Sequence, residues 1–146
     1  MADSSTNNRS ELAKAESTLQ GLETKLEQIT ALLRERRAER REMDVQIQAA
    51  AAAGEIDKLM SLQNRTVSLD KTIDEMIASE AECSQRIESA RRYLYTLYVR
   101  LERLRQEAAE ISMRISFIEG SHTLRLEDQT SLTRVKMQIA AITGAE

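Results

Sequence analysis

The residues of this chain that could do chemistry are few and scattered. The 146 residues include one histidine, His122, and one cysteine, Cys83. They contain no cysteine pair, no glycine-rich phosphate loop and no His-Glu zinc spacing. A serine or threonine nucleophile would lack a positioned base, since the carboxylates are spread as surface charge. The sequence therefore predicts a protein that is not an enzyme, with no catalytic residue, cofactor, metal or small-molecule substrate.

A dense run of arginine is the most distinctive charged feature. It covers residues 34–42, where three glutamates interrupt five arginines: Arg34, Arg36, Arg37, Arg40 and Arg41. Such a run can contact nucleic acid or an acidic surface. The interleaved glutamates and the net charge of −3 favour a solvated, ion-paired helix face instead. Two of the five arginines, Arg36 and Arg40, fall on an apolar seam, and we expect them to reach acidic residues across it, namely Asp70, Asp74 or Glu75.

The elements that must position these residues follow from one long apolar repeat. Between residues 55 and 120, positions spaced alternately three and four apart are apolar in sixteen of eighteen cases. The positions are Leu59, Leu62, Thr66, Leu69, Ile73, Met76, Glu80, Cys83, Ile87, Ala90, Leu94, Leu97, Leu101, Leu104, Ala108, Ile111, Ile115 and Ile118. This is the heptad spacing of a coiled coil, and a helix of about 65 residues would be roughly 97 Å long. On such a seam, the thiol of Cys83 acts as a small apolar group.

Shorter seams of the same spacing lie on either side of the long one. The first is Leu12, Ala15, Leu19, Leu22, Leu26, Ile29, Leu33, Arg36, Arg40, Met43, Ile47 and Ala50, and the third is Leu132, Val135, Ile139 and Ile142. The repeat loses its phase at Gly54, which indicates a hairpin turn there, and Gly120 marks a second turn. We therefore expect an all-α fold. It is an elongated antiparallel coiled coil in which three helices form two consecutive hairpins on one long central helix.

The expected boundaries follow from these turns. A flexible tail covers residues 1–9, and a single coiled-coil domain covers 10–146, with helices at about 10–52, 55–119 and 122–143. Asn8 or Ser10 is expected to cap the first helix. Near the second turn Asp128 falls on the seam, so we expect Leu124 and Leu126 to shift and cover that layer. The seams can close within one chain or between chains of an oligomer, because seam positions do not name their partner.

A second apolar stripe on the central helix supplies candidate partner contacts. It combines tyrosines with aliphatic residues, and an apolar tip lies near the second turn. The candidates are Tyr93, Tyr95, Tyr98, Ile56, Met60, Val67, Ile77, Met113 and Phe117. Tyrosine suits docking because it offers a large ring and a polar hydroxyl. The alternative is that the tyrosine rings cover the junction between the outer helices, and that the tip residues cover the turn.

The sequence is compatible with three functions. The leading one is a structural or assembly protein, a rigid spacer, scaffold or strut in a virion or another macromolecular machine, whose partners are protein subunits or copies of itself. The first alternative is an adaptor or chaperone that binds a client helix. The second is binding of nucleic acid or an acidic surface through Arg34–Arg41. No stretch approaches 18 apolar residues and no basic-then-apolar leader is visible, so we expect no transmembrane segment and an intracellular location, cytoplasmic or within a large assembly.

Overall fold

The computed structural model describes residues 10–117 and 122–144. Within them the chain forms three helices, α1 (Glu11–Ala53), α2 (Ile56–Phe117) and α3 (His122–Thr143). Helix accounts for 97% of the described residues and none of them is in a strand, so the all-α prediction is confirmed. The predicted tail at residues 1–9 and the predicted end of the second helix near residue 119 lie outside the described residues.

Both ends of α1 are closed by local hydrogen bonds. Ser10 is the N-cap, because its hydroxyl accepts a bond from the backbone N–H of Ala13 at 3.0 Å. At the other end, Gly54 has a φ of +71°. Its N–H donates to the carbonyl of Ala51 at 3.2 Å, and the N–H of Glu55 donates to that of Ala50 at 3.0 Å. This pair of bonds is a Schellman cap, which glycine permits by adopting left-handed backbone without strain.

The burial of α2 follows its seam without exception. Every seam position from Leu59 to Ile115 is buried or half-buried, and every other residue from Ile56 to Ser116 is exposed. The seam of α1, from Leu12 to Ala50, is also buried or half-buried throughout. Each helix therefore turns one narrow face inward, as the 3-4 spacing predicts.

The described chain divides into two compact units. One of them, here called the hairpin unit, is Gly21–Glu88. Its core joins α1 to α2 through a cluster of five residues, Leu33, Met43, Leu69, Ile73 and Met76. Hydrogen bonds link Arg40 to Asp70 and Thr30 to Glu80. The earlier residue of α1, Thr30, bonds the later residue of α2, Glu80, whereas the later Arg40 bonds the earlier Asp70. This order is compatible with antiparallel packing.

The other unit, here called the terminal unit, consists of Met1–Gln20 and Ser89–Glu146. Its core joins α2 to α3 through Leu101, Leu104, Ile111, Val135 and Ile142, with Leu12 of α1 packed against it. Full burial of such a side chain contributes about 1.5–3 kcal/mol, so this cluster outweighs the surface ion pairs around it. The start of α1 meets the end of α3, because a Cβ added to Gly144 would lie 3.0 Å from that of Ser10.

The layer around Asp128 differs from the expectation. Leu126 does not cover it, since Leu126 is 49% exposed, and the side chain of Leu124 lies outside the described residues. Instead, the guanidinium of Arg114 reaches Asp128 with both Nε and Nη2, at 3.3 and 3.2 Å. A forked ion pair satisfies the carboxylate where an apolar contact was expected, because the long arginine side chain can reach it from the edge of the seam.

The glycines provide a test of these helix ends. Gly54→Ala should destabilise the protein by about 1 kcal/mol, since a left-handed residue with a Cβ is strained. Gly144→Ala should cost more than Gly54→Ala, because its Cβ would also press on Ser10. Gly21→Ala is the matched control inside α1, where nothing lies within 4 Å of the new methyl group, and it should stabilise by about 0.5–1 kcal/mol. Urea unfolding measures all three, and a stabilising Gly54→Ala would contradict the cap.

Candidate functional site

Four large aliphatic residues of the hairpin unit are exposed on one side of α2. They are Ile56, Met60, Val67 and Ile77, here called the aliphatic flank, with exposed fractions between 40% and 70%. Their spacings of four, seven and ten residues place them on the same side of the helix. Asp70 and Asp74 interrupt the row between Val67 and Ile77. Single exposed aliphatic residues are ordinary, but a row on one face is the kind of surface that a protein partner covers.

The tyrosine candidates lie in the terminal unit and do not share one face. Tyr95 and Tyr98 are three residues apart and point to the same side of α2. Tyr93 lies on another side, where it lines a cavity of about 280 Å³ with Ala15, Thr18 and Ala90. All three are exposed, and Tyr95 is the most exposed at 70%.

Tyr98 makes a specific contact with α1. Its hydroxyl donates a hydrogen bond to Oε1 of Glu16 at 3.0 Å. This bond and partial burial of the ring raise the pKa of Tyr98 above its ordinary value of 10.0, because both favour the neutral phenol. Tyr98 therefore links α2 to α1 within the terminal unit, although its side chain remains partly exposed.

The arginine run divides into paired and unpaired members. Arg40 donates to Asp70 at 2.7 Å and to Asp44, so it makes the cross-helix contact predicted for the seam arginines. Arg36 instead pairs with Glu39 on its own helix at 3.3 Å. The other three members, Arg34, Arg37 and Arg41, are exposed and make no ion pair with any described residue.

Arg40 makes two ion pairs, more than any other arginine of the run. Its hydrogen bonds to Asp70 and Asp44 raise the pKa of its guanidinium above the ordinary value, with the hydrogen bond to Asp70 the largest cause. The aliphatic stem lies on the seam, and the charged head lies among the carboxylates at its edge. Arg40 therefore crosses from α1 to α2 without placing a charge in the core.

Two seam residues of α2 that are not ordinary apolar residues find partners on α1. Glu80 is half-buried and accepts a hydrogen bond from the hydroxyl of Thr30 at 3.2 Å. Cys83 is a free thiol, 3% exposed, and donates to the carbonyl of Leu22 at 3.4 Å. Beside it is a cavity of about 380 Å³, whose lining includes the apolar residues Leu22, Ile29 and Met76 and the charged residues Lys25, Glu82 and Arg86.

The remaining sequence candidates are placed as follows. Met113 is 63% exposed in the terminal unit. Phe117 ends α2 and His122 begins α3, but their side chains lie outside the described residues. Among the residues that the structure describes, no group of three or more His, Cys, Asp or Glu is placed to hold a metal ion. No helix in this part of the chain is long and apolar enough to cross a membrane.

Several contacts were not visible from the sequence. Ser10 with Gly144, Glu16 with Tyr98, and Arg114 with Asp128 each join residues beside the seam rather than on it. Their spacing carries no repeat, so only the folded chain brings them together.

In comparisons with protein-family models, curated proteins and solved structures, this chain matches none of them at a significant level.

The seam arginines allow a stability prediction. The double variant R36L/R40L should melt higher than the wild type by roughly 3–8 °C, because leucine at two seam positions buries apolar surface while exposed ion pairs contribute little. Thermal unfolding followed by circular dichroism measures it. Arg37→Leu is the control, since Arg37 is off the seam, and it should change the melting temperature little. A lower melting temperature for R36L/R40L would contradict the expectation.

Tyr98 gives a prediction on pH. The phenol stabilises the folded chain in its neutral form, so its contribution is fully present below pH 10, the ordinary pKa, and is lost as pH rises through the raised one. Tyr98→Phe should therefore unfold more easily than the wild type at pH 8, and this difference should shrink above pH 10. Urea unfolding at several pH values measures it. Tyr95→Phe is the control, and a Tyr98→Phe difference that stays constant up to pH 11 would count against the Glu16 contact.

Proposed function

We propose that this protein is a non-enzymatic structural component of a larger assembly. In this role it acts as a helical spacer or scaffold, and the aliphatic flank of α2 is its main contact with another subunit. The observation that carries the proposal is the contrast within α2. The seam is buried or half-buried along its described length, yet Ile56, Met60, Val67 and Ile77 are exposed to water on a different side. A helix whose core face is already complete gains nothing for its own fold from these four residues.

The helices are proposed to form two antiparallel coiled-coil hairpins on α2. Three findings support this arrangement. The exposed and buried residues alternate with heptad spacing, the bonds from Arg40 and Thr30 run in antiparallel order, and Gly54 provides a tight cap between α1 and α2. Such a design suits a spacer, because a coiled coil keeps its width while its length is set by the number of heptads.

An intracellular setting is part of the proposal. Cys83 is the only cysteine of the sequence and stays a buried free thiol, so the fold needs no oxidising compartment. The assembly that fits this chain is therefore one built from protein subunits inside the cell, or a particle assembled there.

An adaptor that binds a client helix is the second candidate. The observation in its favour is the cavity beside Cys83, whose lining includes Leu22, Ile29 and the exposed Leu32 of α1. An apolar side chain of a client helix would fill such a space, as in other helix-in-groove complexes. The aliphatic flank favours the assembly role, because its four exposed residues extend along α2 from Ile56 to Ile77.

The assembly role is tested by charging the aliphatic flank. Tagged wild-type chain is isolated under gentle conditions from its native source, and the copy number of each co-purifying protein is measured by mass spectrometry. The proposal predicts a complex of fixed composition. V67E/I77E should be released from it, because two carboxylates would be left without water in the contact.

The control is Val45→Glu, which charges an exposed residue of α1 outside the flank and should leave the complex intact. Circular dichroism and light scattering on the purified variants show whether each still folds. Wild-type chain that occurs free in its source would overturn the proposal. Release by V45E as strongly as by V67E/I77E would place the contact elsewhere.

A further inference from the structure

The unpaired arginines of α1 form a basic face on the hairpin unit. Arg34, Arg37 and Arg41 are spaced three and four residues apart, so they project from one side of the helix. With Thr30, Leu33 and Glu80 they line a cavity of about 300 Å³. Like charges at these spacings repel each other, and within the described residues no carboxylate pairs with any of the three. The face therefore offers charge that the unit itself does not use.

The chemistry of this face selects an acidic helix over nucleic acid. Residues 21–88 contain no aromatic side chain, so a base would find no ring to stack on. An α-helix carries carboxylates three or four residues apart at the same rise per residue as the arginines of α1, so the two sets of charges match in spacing.

The same side of α1 carries a carboxylate two turns before Arg34. This residue, Glu27, is exposed and forms no ion pair with a described residue. Two copies of α1 laid antiparallel, with Thr30 and Ala31 at the centre, place Glu27 of each opposite Arg34 of the other. The central residues are small, so the two helices can approach closely.

We propose that the hairpin unit pairs with a second copy of this chain through this side of α1, in a two-fold symmetric antiparallel contact centred on Thr30 and Ala31. Each pair of opposite charges occurs twice, as two-fold symmetry requires. This pairing rests on the proposed function, because it takes the chain to be a component of an assembly. It names a second copy as one partner, on a surface separate from the aliphatic flank.

Charge reversal tests the pairing. Self-association of the purified full chain is measured by sedimentation at low and high salt. The wild type should associate, and more weakly at high salt. Arg34→Glu and Glu27→Arg should each weaken association about tenfold, because each replaces two attractions by two repulsions. The double variant E27R/R34E should restore it. Arg65→Glu, an exposed arginine on α2 with the same change in net charge, is the control and should have little effect.

Cross-linking tests the position of the symmetry axis. In a Cys83→Ala background, Ala31→Cys places one thiol per chain at the proposed axis, so a short bis-maleimide should join two chains. Ala38→Cys is the matched control on the same helix. Its two thiols would be roughly 22 Å apart in this register and should not be joined. Equal cross-linking of both variants would overturn the register.

The other outcomes also decide the matter. A wild-type chain that stays monomeric at every concentration overturns the self-pairing. A chain that remains monomeric but binds an oligoglutamate peptide or a single-stranded 20-mer through Arg34 also overturns it, in favour of a different acidic partner. The proposed function is judged separately, since it fails only when the chain isolated from its source is found free.

Discussion

The fold depends on the narrow width of its apolar seam. In α2 the seam is one row of side chains repeating every three and four residues, and every other described residue is in contact with water. A single row buries little surface per residue, so stability has to accumulate along the length of the helix. This explains why the chain forms long helices without proline and with few large aromatic residues. It also leaves most of each helix free to carry other contacts.

Polar residues on the seam are tolerated because each one has a hydrogen-bond or ion-pair partner. Thr66 is buried and bonds the carbonyl of Leu62 one turn earlier, whereas Glu80 meets the hydroxyl of Thr30. The guanidinium of Arg40 lies at the edge of the seam and donates a hydrogen bond to Asp70, and Arg114 forms an ion pair with Asp128 from outside the seam. An unpaired polar group in such a thin core would cost more than one buried leucine contributes. Together these contacts fix which layers face each other, since a shift along the seam would break several of them at once.

The sequence was sufficient for the features that repeat. The 3-4 spacing predicted which residues are buried from Leu59 to Ile115, and the loss of phase at Gly54 predicted the turn with its capped helix end. It was insufficient for side chains beside the seam, whose partners depend on rotamers and on the relative rotation of two helices. Arg36 and Arg40 both occupy seam positions, yet only Arg40 reaches across to α2. For the same reason Leu126 was expected over a layer that Arg114 stabilises.

The contact between Ser10 and Gly144 has a consequence for the order of folding. The hairpin unit is a continuous stretch of chain, Gly21–Glu88, so all of its contacts are available once that stretch has left the ribosome. The terminal unit joins the beginning of α1 to the end of α3, and it cannot close until residue 144 has been synthesised. At about 5–20 residues per second, the hairpin unit has several seconds in which to fold by itself. During that interval Leu12 and Leu101 are without their partners, so the nascent chain exposes apolar side chains until residue 144 can join the terminal unit.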